Sequence, residues 1–315
     1  MNQTAYPSRP GDSFVERSLD MAGCGSILPL VCRWPERAAP KGFVIFCHGL
    51  SASGRDYARL SSHWASHGYI VIHPTFPDWI GAVAQSEPHL GLDPAGNLTG
   101  WADDPTVRSR MYEILHTPSY WLKRIRIVRQ VMDALDQIVD ATCGQPVTPV
   151  PGAIAGHSFG AYTSQLFAGA EIDVPGEGPC TFKDERFSAA ILLSAQGRDQ
   201  QGLREGSWDG IGGPMLNVTG TRDGGAKGQD WHWKVEPYEF APEGDKYLAV
   251  LTDGDHYLGG IARPDQPPVP EQRDAVDQIT LAFLDAHLVQ DASAMAWLGA
   301  IDDRVGSCPL LFKRK

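Results

Sequence analysis

The chain has 315 residues, 42% hydrophobic and 21% charged, with a net charge of −11. That length allows one large α/β domain, and the acidic balance argues against nucleic acid or an anionic membrane as a partner. No apolar run approaches the 18 or so residues of a membrane span.

Met1 to Ser13 is polar, with no basic n-region and no apolar h-region, so a cytoplasmic location is expected. Ser13–Asp20 and Ile27–Trp34 read as antiparallel strands around a Gly23–Gly25 turn. Gly42–Cys47 is a continuous apolar run, as in a central parallel strand buried on both faces. It ends in His48-Gly49-Leu50. Arg55–His67 carries apolar residues at helical spacing before Gly68, and Tyr69–His73 is the next buried strand.

Phe76–Thr117 breaks this rhythm. It is long, rich in Gly, Pro, Asp and Trp, and weakly periodic, which marks residues 76–117 as an insertion or lid beside a binding site. A helix then opens with Thr117 as N-cap and Pro118 in the first turn; Trp121, Ile125, Val128, Met132, Leu135 and Ile138 form its stripe. Its Arg124–Arg129 side reads as a solvated face.

Val150–Ala161 is the organising stretch. A short buried strand runs into Gly156-His157-Ser158-Phe159-Gly160, and a helix follows to Phe167. That context is a nucleophile elbow: the serine is pushed out at a tight strand-to-helix turn, and the two glycines avoid collisions at the bend. The Phe159 N–H then faces a developing oxyanion at a helix N-terminus.

Glu171–Phe187 is a second irregular insertion (171–187). Ala189–Ser194, Met215–Val218 and Tyr247–Leu251 are further strands, the last of these closing the strand order. Helices over Glu271–Leu288 and Ala294–Leu298 end the chain. The alternation of strands and helices gives an α/β fold with a doubly wound, mostly parallel sheet, in one domain over 1–315 with two insertions.

A serine hydroxyl needs a base, and the base needs an orienting acid. In such a sheet both come from loops at the carboxyl ends of later strands. Asn217–Gly224 offers Asp223, with Asp199 as the rival acid. Leu251–Gly260 offers His256, with His232 as the rival base. The second oxyanion N–H falls on Leu50. Trp79, Trp101, Trp231, Trp233 and Tyr257 are candidate pocket walls, and His48 is expected to brace its loop through hydrogen bonds. A calcium loop over Asp253–His256 would need a Glu where Pro264 stands, so no metal and no cofactor are expected. The six cysteines show no paired or zinc spacing and read as reduced thiols, with Cys180 and Cys308 the candidates for exceptions.

Taken together, the His48–Leu50 loop, the Gly-His-Ser-Phe-Gly elbow, the Gly-Thr-Arg-Asp loop and the Asp-His loop resemble the α/β-hydrolase superfamily. The run Ile279–Leu288 resembles the last helix of its dienelactone-hydrolase-like branch, which includes relatives of platelet-activating-factor acetylhydrolases and cutinase-type esterases. Dienelactone hydrolases use a cysteine nucleophile, whereas the elbow here holds Ser158. The resemblance therefore implies a serine hydrolase of a small-molecule carboxylic ester. Lactonase, amidase or acyltransferase chemistry on the same residues is the alternative within enzymes. The rival from another class is a non-catalytic binding protein on a hydrolase scaffold.

Overall fold

The computed structural model describes residues 5–7, 9–23, 26–144, 151–262 and 267–315. Cys24, Gly25, Val150 and Pro264, used above, lie outside the described residues.

Two long strands, β1 (Phe14–Gly23) and β2 (Ser26–Pro35), pair antiparallel over their whole length. Six parallel strands form the centre: β3 (Gly42–Cys47), β4 (Tyr69–Pro74), β5 (Gly152–His157), β8 (Phe187–Leu193), β9 (Met215–Gly220) and β10 (Lys246–Leu251). All six residues of β3, β4, β5, β9 and β10 are buried, as expected for strands covered on both faces. Between β5 and β8, a small hairpin of β6 (Glu171–Val174) and β7 (Gly178–Thr181) forms its own sheet. The second insertion is thus ordered by pairing and not irregular.

The strand order is β1-β2-β4-β3-β5-β8-β9-β10-β12-β11. It corrects the expectation that β10 is last: β11 (Arg304–Val305) and β12 (Cys308–Arg314) follow, and β12 pairs antiparallel with β10. Cys308 and Leu310 of β12 face inward while Pro309 and Leu311 face out, so the edge strand is amphipathic and its signal brief. No disulfide joins the described cysteines.

Helices cover both faces. On one lie α1 (Ala58–Ser66), α8 (Pro270–Leu288) and α9 (Ala292–Gly299), packing Trp64, Ile279, Phe283 and Leu298 against the sheet. On the other lie α4 (Pro118–Asp133), α5 (Leu135–Thr142) and α6 (Phe159–Ala168). The stripe from Trp121 to Ile138 is therefore split between two helices, broken at Ala134. Thr117 is the N-cap of α4, but its hydroxyl donates back to the Glu113 carbonyl at 2.7 Å instead of capping.

Segment 76–117 is more helical than its composition suggests. It contains α2 (Ile80–Ser86) and α3 (Pro105–His116). The Asp104 carboxylate caps α3 by accepting from the Thr106 and Val107 N–H groups, and Pro105 occupies the first turn. Ile80, Val83, Val107, Met111 and Ile114 make a small core of their own, against which Leu50, Trp79 and Trp101 pack.

Candidate active site

The elbow is tight because its backbones touch. A Cβ on Gly160 would fall 1.8 Å from the Cys47 carbonyl oxygen at the end of β3; one on Gly156 would fall 2.3 Å from the Gly160 backbone. No side chain fits at either position. Ser158 is held at φ 54° and ψ −118°, a conformation that costs an L-residue of order 1–3 kcal/mol and persists only when its surroundings impose it. Its N–H donates to the Leu193 carbonyl at 2.9 Å, tying the turn to β8.

This turn aims the hydroxyl at His256. Ser158 Oγ lies 3.0 Å from His256 Nε2, and His256 Nδ1 lies 2.9 Å from Asp223 Oδ1. Asp223 is fully buried in the loop after β9, where the Thr219 hydroxyl donates to its Oδ2 at 2.8 Å. Burial alone would raise the Asp223 carboxyl. The charges of Lys234 and His256, with hydrogen bonds from His256 and Ser194, outweigh it and hold the group well below the usual carboxylate range.

Two neighbours were not foreseen. Ser194, at φ 58° just past β8, has its Oγ 2.8 Å from His256 Nδ1. Lys234, on α7 (His232–Phe240), is 2% exposed, with Nζ 3.8 Å from Asp223 Oδ1. Neither sits in a motif; a lysine within a mixed helix carries no local sign of its burial.

The rival residues lie elsewhere. The exposed His232 accompanies the exposed Asp230 at 3.2 Å. The Asp199 N–H instead donates to the Leu203 carbonyl in a turn of its own. Among the described residues, no three potential metal ligands cluster.

Leu50 lines the same cavity as Ser158, and Phe159 follows the serine at the start of α6. Leu50 follows β3 on a loop braced from below. His48 Nδ1–H donates to the Gly49 carbonyl at 2.7 Å, and the Phe76 N–H donates to His48 Nε2 at 2.8 Å. That bracing matches the role expected for His48. Burial and the nearby Arg124 charge depress His48 to about 4, so the ring is neutral at pH 7. Arg124 corrects the solvated-face reading: it is fully buried, pairs with Asp78, and donates to the His48 carbonyl at 2.8 Å. Its guanidinium lies between the Phe76 and Phe159 rings, 4.3 and 4.0 Å from their centroids.

A second brace links the two loops. The Gly49 N–H donates to the Tyr57 hydroxyl at 3.0 Å, which donates to His157 Nδ1 at 3.0 Å. His157 Nε2–H then donates to the His256 carbonyl at 2.7 Å. Burial and the nearby His256 keep His157 neutral, depressed to about 3.

Ser158 and His256 open into a cavity of about 740 Å³. Leu50, Trp79, Trp101, Trp233 and Tyr257 line it, together with the buried Gln196 and Gln200. Trp231 is not among its lining residues: it stacks on His232 at 3.8 Å and packs on a small cluster with Val235 and Tyr238.

A family model described as chlorophyllase matches residues 21–116, a stretch that includes Leu50, Trp79 and Trp101 and ends before Ser158. No curated protein matches the sequence. A crystal structure of a Klebsiella pneumoniae subsp. pneumoniae protein assigned as a dienelactone hydrolase superposes with a TM-score of 0.54. It covers 89% of this chain and 100% of that chain at 15% identity. With its parallel centre, antiparallel edges and elbow after β5, the chain has the α/β-hydrolase fold, in the form shared with that dienelactone hydrolase-like structure.

Proposed function

We propose that the chain is a serine hydrolase that cleaves carboxylic esters through an acyl-enzyme, with no metal or cofactor. The observation that carries this reading is the continuous hydrogen-bond line from Ser158 through His256 to Asp223, beginning at a strained serine that faces a cavity. Ser158 attacks the ester carbonyl while His256 Nε2 takes its proton. The oxyanion that forms accepts from the Leu50 and Phe159 N–H groups, each worth about 3 kcal/mol in the transition state. The tetrahedral species collapses, His256 gives its proton to the leaving alcohol, and Ser158 is left acylated. Water, deprotonated by His256, then reverses these roles and releases the acid. Asp223 holds the imidazole tautomer and stabilises the imidazolium.

The aromatic wall of Trp79, Trp101, Trp233 and Tyr257 favours esters with a sizeable apolar portion. Fluorophosphonate labelling tests the reading, followed by an ester panel from acetate to long-chain and aromatic acids, with chlorophyll included because the matching family names it. Ser158 is the expected site of modification, and Ser158→Ala lowers kcat/KM by about 10⁴-fold or more. An unlabelled Ser158 in folded protein rejects the reading and favours a binding protein on this scaffold.

A further inference from the structure

Lys234 is a cation where a serine hydrolase of this kind needs none. The residue is 2% exposed, its backbone carbonyl accepts from Asn217 Nδ2 at 2.9 Å, and its Nζ donates to the Ser194 carbonyl at 3.3 Å. Those contacts fix the ammonium 3.8 Å from Asp223 Oδ1 and 5.2 Å from the Trp233 ring. At such a distance in a buried site, one charge acts strongly on another.

The other groups facing the Asp223–His256 pair bring no positive charge at neutral pH. From β5 comes the His157 ring, 5.0 Å from His256 and kept neutral by burial. Tyr257 lies 5.4 Å from His256 on the same loop. Ser194 after β8 and Thr219 on β9 contribute hydroxyls. Nearby in sequence, the exposed Arg222 and Asp253 pair with each other at 3.2 Å.

An isolated Asp–His pair favours the imidazolium, because the carboxylate attracts the proton that His256 must lack in order to act as a base. A lysine on the same carboxylate offsets that attraction. We propose that Lys234 is a positioning residue that neutralises Asp223, so that His256 stays unprotonated, and the site active, at lower pH than Asp223 alone would allow. This rests on the serine-hydrolase reading, but the protonation of His256 is measurable without turnover.

The test compares wild type, Lys234→Met and Lys234→Arg, each confirmed folded by circular dichroism. The kcat/KM–pH profile is measured with p-nitrophenyl acetate, and the His256 ring is titrated by NMR in a Ser158→Ala background. In Lys234→Met, the acid limb and the His256 midpoint both rise by about one pH unit, roughly a tenfold loss of activity below the limb. Lys234→Arg returns both toward wild type. If Lys234→Met does not fold, Lys234→Gln is read in the same way. An unmoved His256 midpoint in the folded charge-removing variant overturns the proposal. A midpoint that moves in a protein that hydrolyses no ester upholds Lys234 and rejects the hydrolase reading instead.

Discussion

Arg124 and Asp78 form a two-point pair beneath the loop that carries Leu50: Nε to Oδ1 at 3.0 Å and Nη2 to Oδ2 at 2.5 Å, both side chains shut off from solvent. The same guanidinium reaches the His48 carbonyl, and the Asp78 carbonyl accepts from the Ser51 N–H at 3.2 Å. The two paired residues thus hold the loop on both sides of Leu50, Arg124 through its side chain and Asp78 through its backbone. Arg124→Met leaves the Asp78 charge buried and alone, and should cost about 3–5 kcal/mol of stability by urea denaturation. Arg124→Met combined with Asp78→Leu should recover part of that loss without recovering activity, since the guanidinium contact with the His48 carbonyl stays broken.

Gly160→Ala should abolish folding or cost several kcal/mol, because its Cβ would overlap the Cys47 carbonyl. Gly212→Ala is the control: nothing lies within 4 Å of a Cβ there. Thermal melts of the two variants should differ widely, with Gly212→Ala shifting stability by no more than about 1 kcal/mol.

Tyr57→Phe removes the hydroxyl that joins the Gly49 N–H to His157. The His157 ring then loses its donor at Nδ1, and the Leu50 and His256 loops lose a shared brace. A destabilisation of about 1–3 kcal/mol follows for the buried groups left unpaired. The accompanying fall in activity should appear in kcat more than in KM, because the oxyanion contact proposed for the Leu50 N–H matters most in the transition state. An unchanged kcat in stable Tyr57→Phe would assign the brace to folding alone.

Acid should destabilise the fold through its buried histidines, well before Asp223 titrates. His48 and His157 are neutral when folded, depressed to about 4 and about 3, and His73 is held well below its usual value by complete burial. The unfolded chain protonates these rings below about pH 6.5, while the folded chain does not. Stability is therefore full above that pH and is lost as pH falls toward 4, by up to about 1.4 kcal/mol per pH unit for each histidine. Asp223, held low by its neighbours despite its burial, adds a separate loss only below about pH 4. Urea midpoints between pH 7.5 and 5 check this; a flat profile would contradict it.

What the sequence made legible was local or periodic. Fully buried strands such as Gly42–Cys47 and Gly152–His157 announce themselves as apolar runs, and the elbow is defined by residues next to one another. The positions of Asp223 and His256 followed from where loops leave a parallel sheet. What escaped depends on partners distant in the chain. Arg124 stands among basic residues, and only its contact with Asp78, 46 residues away, makes it an interior residue. Lys234 and Ser194 owe their place beside Asp223 to strands that meet only after folding. Strand β12, with polar Lys313 and Arg314 and exposed alternate positions, was too mixed to stand out. The Asp104-Pro105 cap was the one readable sign that helix α3 begins inside a segment that otherwise looks like loop.

Helices α2 and α3 pack around a core of their own, meeting the rest of the site through Leu50 and the flanking tryptophans. The Ser158 turn, by contrast, is built from backbones so close that no Cβ fits at Gly156 or Gly160. Repacking Val83, Val107 or Met111 would therefore reshape the cavity wall without altering any partner in the Ser158–His256–Asp223 hydrogen bonds. Under the proposed function, the architecture separates a rigid engine from an exchangeable mould, and in a search for new substrates the second is the part to randomise.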